Sequence, residues 1–118
     1  MGEEQGGEGM TITESIRTVS EANRREHWAA RHRRASNQKL MVAAALSGKK
    51  LPPLPAVITL TRIGKRRMDS DNLAGAFKAV RDQIARTYGV DDGDPRYTWQ
   101  YAQKIGKQYG IEISIVPV

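Results

Sequence analysis

All six aspartates of the chain lie between residues 69 and 94, and most of them fall in two tight clusters. Asp69 and Asp71 flank a serine, while Asp91 and Asp92 are adjacent, with Asp94 close behind. Clustered carboxylates repel one another, so their concentration within a basic chain indicates a compensating cation. Carboxylate oxygens suit Mg²⁺ or Mn²⁺, which take few protein ligands and keep waters for a phosphate substrate. The clusters therefore predict an enzyme that cuts nucleic acid.

Length, charge and composition narrow the class of protein. The chain has 118 residues, enough for one domain with a modest core, and it has no cysteine, which excludes disulfides, thiolate zinc sites and cysteine nucleophiles. With 19 Lys and Arg against 13 Asp and Glu, the net charge is +6, as in nucleic-acid-binding proteins but also in ribosomal and membrane-surface proteins. No apolar run approaches a membrane span and no signal peptide is evident. We expect a cytoplasmic protein without a membrane partner.

The charged residues are unevenly placed along the chain. Residues 1–9 are acidic and glycine-rich, and we expect them to form a flexible tail. A long basic segment follows, and its predicted phosphate-contacting residues are Arg24, Arg25, Arg31, Arg33 and Arg34. A second basic group, Lys65, Arg66 and Arg67, immediately precedes the first aspartates. Cations around an acidic centre suit phosphates held beside a metal, although the first segment could also be a solvated helix face.

Hydrophobic periodicity predicts two main helices. Ser20 is a good N-cap for a helix over residues 21–46, with Gly48 as its stop. The buried face of that helix is predicted to comprise Trp28, Ala35, Val42 and Leu46. A second helix is predicted from residue 70 or 71 to Tyr88, capped by Gly89. Its buried face follows the i, i+4, i+7, i+11 spacing of Leu73, Phe77, Val80 and Ile84.

Strands are predicted on either side of these helices. Residues 56–63 are apolar and β-branched, as in a central strand, and residues 10–16 form a weaker edge-strand pattern. Residues 97–104 alternate Tyr97, Trp99 and Tyr101 with smaller side chains, and core packing of these rings is favoured over base stacking. Residues 111–116 alternate isoleucines with polar residues, and the short turn before them predicts a hairpin. The fold class is α/β (α+β), with one small mixed sheet in the order β-α-β-α-β-β.

Each aspartate cluster also has an ordinary structural interpretation. Asp71 alone could be an N-cap and Asp69 a solvated turn residue, while residues 91–95 alone could be an Asp/Gly/Pro turn. Two clusters separated by one amphipathic helix in a basic chain favour a site. A calcium-binding EF-hand is excluded because its fifth and twelfth positions would be Leu73 and Val80.

Other chemistries find little support in the sequence. His27 and His32 lie five residues apart on the predicted helix, so they do not face one metal as an i, i+4 pair would. No serine has evident histidine and aspartate partners for a hydrolytic triad. Gly64 and Lys65 lack the rest of a phosphate-binding P-loop.

Four features together point to a known family. They are the strand AVITLTRI at 56–63, the motif DSDN at 69–72 opening a helix, the sequence GVDD at 89–92 and a closing hairpin. The chain resembles the RusA family of Holliday-junction resolvases over roughly residues 55–118, and more loosely over the upstream basic helix. The resemblance implies a single nuclease domain over residues 10–118. It also implies a homodimeric, Mg²⁺-dependent endonuclease, often encoded by phages, that nicks four-way DNA junctions in recombination and repair.

The resemblance also implies roles for individual residues. Asp69, Asp71 and Asp92 would bind metal and act in catalysis, with Asp91 in support. The family has a functional lysine six or seven residues after the first aspartate, where this chain has Gly75 and Ala76. Lys78 comes about one helical turn later and would take that catalytic place.

Three other functions stay open, and so does the assembly of the site. The chain could be a catalytically impaired nucleic-acid-binding protein, for which Gly75 is the argument, a nuclease of flaps and branched DNA in general, or a protein-binding accessory factor. Residues 72–88 would span about 25 Å as a helix, which separates Asp71 from Asp92. We therefore expect a homodimer in which the two clusters meet across subunits.

Overall fold

A computed structural model describes residues 9–19 and 28–118. They form a mixed α+β fold of a four-stranded sheet and three helices, which confirms the predicted class. The elements are β1 (Met10–Glu14), α1 (Trp28–Leu46), β2 (Ala56–Gly64), α2 (Ser70–Ala76), α3 (Lys78–Tyr88), β3 (Tyr97–Ile105) and β4 (Gly110–Pro117). The predictions for residues 1–8, Ser20, Arg24, Arg25 and His27 fall outside the described residues. No helix in the described ranges is long and apolar enough to cross a membrane.

β2 is the central strand that its composition predicts. The strand order is β1-β4-β2-β3, with β2 parallel to β3 and antiparallel to β4. Successive side chains of a strand point to opposite faces, so every second residue of β2 is buried beneath the helices. Leu60 pairs in register with Tyr101 of β3 and Ile113 of β4, and this row belongs to one core with Phe77. This packing fixes the position of β2, whose carboxyl end leads through residues 65–68 to Asp69.

The predicted hairpin of the last two strands is wrong, because β2 lies between β3 and β4. Residues 106–109 instead cross the end of β2, where the N–H of Gly106 donates to the carbonyl oxygen of Gly64 at 2.9 Å. A Cβ on Gly106 would lie 2.8 Å from Ile63, so this crossing needs glycine. Four residues easily span two strand spacings of about 4.8 Å each. The sequence shows that β3 and β4 are joined by a short connection, but not that β2 lies between them in the sheet.

The second predicted helix is present as two nearly continuous pieces. α2 and α3 meet at Phe77, whose φ of −98° and ψ of 6° depart slightly from helical values. The prediction of the buried face is confirmed for all four residues: Leu73, Phe77, Val80 and Ile84. Gly89 ends α3 at φ 73°, a left-handed conformation that glycine adopts without strain. The break therefore changes the number of helices, not the face they bury.

α1 buries Val42 and Leu46 as predicted, but not its first turns. Trp28 is 71% exposed, so its assignment to the buried face is wrong, and Ala35 is only half-buried. The early turns of α1 face small residues of α2 and α3, among them Gly75 and Ala79, across an open groove. Because these residues offer little apolar surface, Trp28 borders the groove instead of packing into a core.

Candidate metal centre and nucleic-acid surface

Asp69 and Asp71 lie where the chain leaves the carboxyl end of β2 and enters α2. Both residues are exposed, and neither carboxylate has a hydrogen bond or ion pair with another described residue. Asp69, not Asp71, occupies the N-cap position, and its side chain makes no capping bond. The N-cap interpretation of Asp71 is therefore wrong, and both carboxylates are available to a ligand.

Two polar side chains of the sheet hydrogen-bond to the backbone of the loop between β2 and α2, residues 65–68. Arg62, only 8% exposed, donates from Nη1 to the carbonyl oxygen of Arg66 at 2.7 Å. Gln103 of β3 accepts a hydrogen bond from the N–H of Met68 at 2.8 Å and donates to its carbonyl oxygen at 2.7 Å. A Cβ on Gly64 would meet the Arg62 guanidinium at 2.6 Å, so glycine leaves room for that side chain.

This support fixes the backbone that presents the second basic group. The side chains of Lys65, Arg66 and Arg67 are exposed immediately before Asp69. Neither Arg62 nor Gln103 was predicted from the sequence as a support for this loop. The available signal was periodicity, because both residues put a polar group at an inward position of an otherwise apolar strand face. Cations and carboxylates thus share one rigidly supported strand-to-helix connection.

Asp92 belongs to a network beside the amino end of β3. Its Oδ2 accepts from Arg81 Nε at 3.0 Å, and its backbone carbonyl accepts from Trp99 Nε1 at 2.9 Å. Arg81 also donates to the Tyr101 hydroxyl at 2.9 Å and lies 4.8 Å from the Trp99 ring centroid. Burial acts to lower the pKa of Arg81, but the bonds and charges of Tyr101 and Asp92 outweigh it and raise that pKa. The second cluster is therefore anchored by an arginine that sequence analysis missed.

The other aspartates of this loop hold a turn, as their Asp/Gly/Pro composition predicts. Asp91 Oδ2 accepts from the N–H of Gly93 at 2.9 Å. Asp94 accepts from both the backbone and the guanidinium of Arg96. These bonds lower the pKa of the Asp94 carboxyl. Asp91 and Asp94 thus have local structural roles in this turn.

The two aspartate clusters lie beside opposite ends of the strands, one at the carboxyl ends of β2 and β3 and the other at their amino ends. β2 and β3 are parallel and paired along their whole length, from Ala56 with Tyr97 to Gly64 with Ile105. Asp69 follows the carboxyl end of β2, whereas Asp92 precedes the amino end of β3. Strands of this length extend about 25–30 Å, so one chain does not bring the clusters together. Within residues 9–19 and 28–118, no three Asp, Glu or His side chains form a group that could hold a metal ion.

The predicted phosphate-contacting arginines of α1 do not share one side of the helix. Arg31 lines the groove between α1 and the α2–α3 pair, together with Lys39 and Lys78. Arg33 and Arg34 line a second groove, of about 350 Å³, on the side of Arg17. Basic residues therefore border α1 on both sides.

Comparison with known proteins adds no assignment. The chain matches no protein-family model and no curated protein sequence. The resemblance to RusA resolvases consequently rests on the motifs of the chain itself.

Proposed function

We propose that this protein is a divalent-metal-dependent endonuclease that nicks branched DNA, with four-way junctions as its main substrate, and that it acts as a homodimer. The observation that carries the proposal concerns Asp69 and Asp71, which lie beside the supported basic loop: both are exposed, and neither carboxylate has a hydrogen bond or ion pair with a described residue. Two exposed carboxylates that are two residues apart in sequence and have no described partner, in a chain of net charge +6, suit a bound cation better than a solvated turn.

The donor set fits Mg²⁺ or Mn²⁺. Asp69 and Asp71 supply hard oxygen ligands, and Mg²⁺ commonly takes one or two carboxylates while keeping waters and substrate phosphates. Such an ion would lower the pKa of a bound water and polarise the scissile phosphate. Asp92 keeps one carboxylate oxygen, Oδ1, without a hydrogen bond to any described residue. It is proposed to complete the centre from the partner subunit, with Arg81 orienting it and Asp91 in support.

The basic residues of the chain would position the substrate. Lys65, Arg66 and Arg67 adjoin Asp69 and would draw a phosphate toward the carboxylates, which otherwise repel it. Lys78 has a side chain that is 79% exposed and an ion pair with Asp82 at 3.4 Å. Because an exposed pair of this kind is weak, the Lys78 ammonium can turn to a phosphate and offset charge that develops on it.

One observation favours a second candidate, a nucleic-acid-binding protein of the same fold with impaired catalysis. The family's lysine would fall at Gly75 or Ala76, whereas the substituting Lys78 lies about one turn further along and is paired with Asp82. If Lys78 does not reach the reacting phosphate, binding persists without efficient cleavage.

The decisive experiment incubates the purified protein with labelled four-way, flap and duplex substrates in Mg²⁺, in Mn²⁺ and in EDTA. We expect paired, symmetric nicks in the junction and little cutting of the duplex. Equal cutting of flaps and junctions would favour a general branched-DNA nuclease. Binding without cleavage in either metal would favour the impaired protein, and binding to none of the DNAs would contradict both.

A further inference from the structure

A cavity lies in the groove between α1 and the α2–α3 pair. Its volume is about 520 Å³, within the range of small-ligand sites. Its floor consists of small residues, Ala35, Gly75, Ala76 and Ala79. A groove of this shape admits a flat ligand that larger side chains would exclude.

Gly75 has no role in the described part of the chain that requires glycine. It lies inside α2, where glycine costs about 1 kcal/mol relative to alanine. Its φ is not positive, and a Cβ added to it would meet no described atom within 4 Å. Glycine at such a position is suited to the close approach of a ligand to the helix backbone. The space above Gly75 therefore points to a molecule outside the chain.

The rim of the groove selects the chemistry of that molecule. Among the described residues that line it, Arg31, Lys39 and Lys78 are basic and Asp82 is acidic. Trp28 is 71% exposed at the same rim, and its ring meets His32 edge-on with centroids 6.4 Å apart. A net positive rim beside an indole suits a ligand that carries both phosphate and an aromatic base.

The groove also leads to the carboxylate pair. Asp71, Gly75 and Lys78 follow at i, i+4 and i+7, which places them on one side of the helix. The same side that lines the groove therefore begins at Asp71. A DNA strand lying in the groove would reach the metal centre without crossing the buried face of α2 and α3.

We propose that this groove binds an unpaired nucleotide of branched DNA, with the base against Trp28, the flanking phosphates on Lys39 and Lys78, and the next phosphate at Asp71. The inference rests on the proposed nuclease function and names the part of the substrate that the site recognises. The arms of a four-way junction are fully paired, so this nucleotide is extruded from the duplex. Extrusion costs least at the crossover, where stacking is already interrupted, so the groove favours branch points over continuous duplex.

The test measures DNA binding without metal, so that it does not depend on cleavage. Fluorescein-labelled (dT)8 is titrated with wild-type protein, Gly75→Met and Ala74→Met in EDTA, and anisotropy gives the Kd. Ala74 is exposed next to Gly75 but does not line the groove, so Ala74→Met is the matched control. We expect at least tenfold weaker binding for Gly75→Met, a change within twofold for Ala74→Met, and no loss of Tm in either. Trp28→Ala should weaken binding at least fivefold.

The inference is overturned if wild-type protein does not bind (dT)8, or if Gly75→Met binds it as wild type does. It is also overturned if Gly75→Met changes the subunit number in sedimentation equilibrium, because the groove would then be an interface between copies. If binding depends on Gly75 but no substrate is cleaved, the nuclease proposal is contradicted and the groove proposal is supported. If Gly75→Met cleaves junctions and binds DNA as wild type does, the nuclease proposal is supported and the groove proposal is contradicted.

Discussion

The side-chain amide of Gln103 pairs with the backbone of Met68 as a second strand would. Its Oε1 accepts from the Met68 N–H at 2.8 Å, and its Nε2 donates to the Met68 carbonyl oxygen at 2.7 Å. Met68 immediately precedes Asp69, so two hydrogen bonds from β3 fix the backbone that carries the proposed metal ligand. Gln103 thus acts as a positioning residue for Asp69 and the basic loop.

Replacing Gln103 should loosen this connection. Gln103→Leu removes both bonds and leaves two backbone groups half-buried without partners, which should lower the free energy of unfolding by about 1–3 kcal/mol. In the proposed enzyme, the Mg²⁺ concentration for half-maximal cleavage should rise several-fold. Urea unfolding and a metal titration measure the two effects. Gln100→Leu is the matched control, since Gln100 lies on the other face of β3, where its side chain accepts a hydrogen bond from the Thr59 hydroxyl. Equal metal dependence in both variants would show that Gln103 supports the fold alone.

Asp71→Asn should abolish cleavage and leave junction binding unchanged or slightly tighter. A carboxylate repels phosphate when no metal is bound, so its neutralisation does not weaken docking. Metal-assisted hydrolysis, in contrast, needs the complete ligand set. Gel-shift affinity and nicking rate are measured on the same junction, with Glu112→Gln, an equal charge change on the opposite sheet face, as control. Loss of binding in parallel with activity would assign Asp71 a structural role.

The salt dependence of junction binding should show whether Arg66 and Arg67 of the basic loop contact phosphates. Each phosphate neutralised on duplex DNA contributes about −0.9 to the slope of log K against log salt. Arg66→Gln combined with Arg67→Gln should therefore flatten the slope by up to about 1.8 units. The matched double variant Lys49→Gln and Lys50→Gln changes the same charge in the exposed connector between α1 and β2. Equal flattening in both would mean that only net charge matters.

Local sequence patterns predicted the helices, the strands and most of the residues that they bury. They did not predict how elements distant in sequence pair with one another. The apolar spacing of Leu73, Phe77, Val80 and Ile84 identified a helix face that is buried throughout. The alternation of β3 identified its core rings, since Tyr97 is buried and Trp99 and Tyr101 pack on the core.

These errors share one physical cause: the periodicity of a segment does not reveal which other segment packs against it. A hairpin and a crossing over β2 need the same short connection, so periodicity cannot separate them. Trp28 has the spacing of a buried residue but faces a groove lined by small side chains. Gln103 and Arg81 acquire their roles through partners distant in sequence, so their residue types alone did not mark them.

Stability should fall at alkaline pH because of Tyr97. This tyrosine is 6% exposed, and its hydroxyl donates to the Val90 carbonyl oxygen at 2.7 Å. Burial raises the pKa of Tyr97 to about 12 from the ordinary value of 10.0. The folded state keeps the proton longer than the unfolded state, so this stabilisation is present below pH 10 and is lost as the pH rises toward 12. Two pKa units correspond to about 2–3 kcal/mol.

Urea unfolding at pH 8, 10 and 11 measures this loss. Tyr97→Phe should cost about 1 kcal/mol at pH 8, through the lost hydrogen bond, and should flatten the alkaline decline. Tyr109→Phe is the control, because Tyr109 is only half-buried and its ring lies under the Arg17 guanidinium. A decline of the same steepness in Tyr97→Phe would assign it to other groups, Tyr88 among them, whose pKa burial also raises.

The separation of Asp71 and Asp92 predicts that each active site draws on two subunits. Asp92→Asn keeps an oxygen that can accept from Arg81, so the network beside β3 should survive the loss of charge. Asp71→Asn and Asp92→Asn homodimers should each be inactive. Mixed and re-equilibrated, they form heterodimers in which one site has both wild-type aspartates and the other has neither. Activity should then return, at about half the wild-type value per heterodimer.

The complementation experiment needs proof that subunits exchange. Differently tagged variants, co-purified through both tags, give heterodimers free of either parent, and the wild-type pair purified in the same way sets full activity. A double variant carrying both substitutions, mixed with wild type, provides the inverse arrangement. Under shared sites each of its heterodimer sites lacks one aspartate and should be inactive, whereas self-contained sites would leave one intact. Activity in that mixture, with none in the complementing one, would establish that each subunit builds its own site.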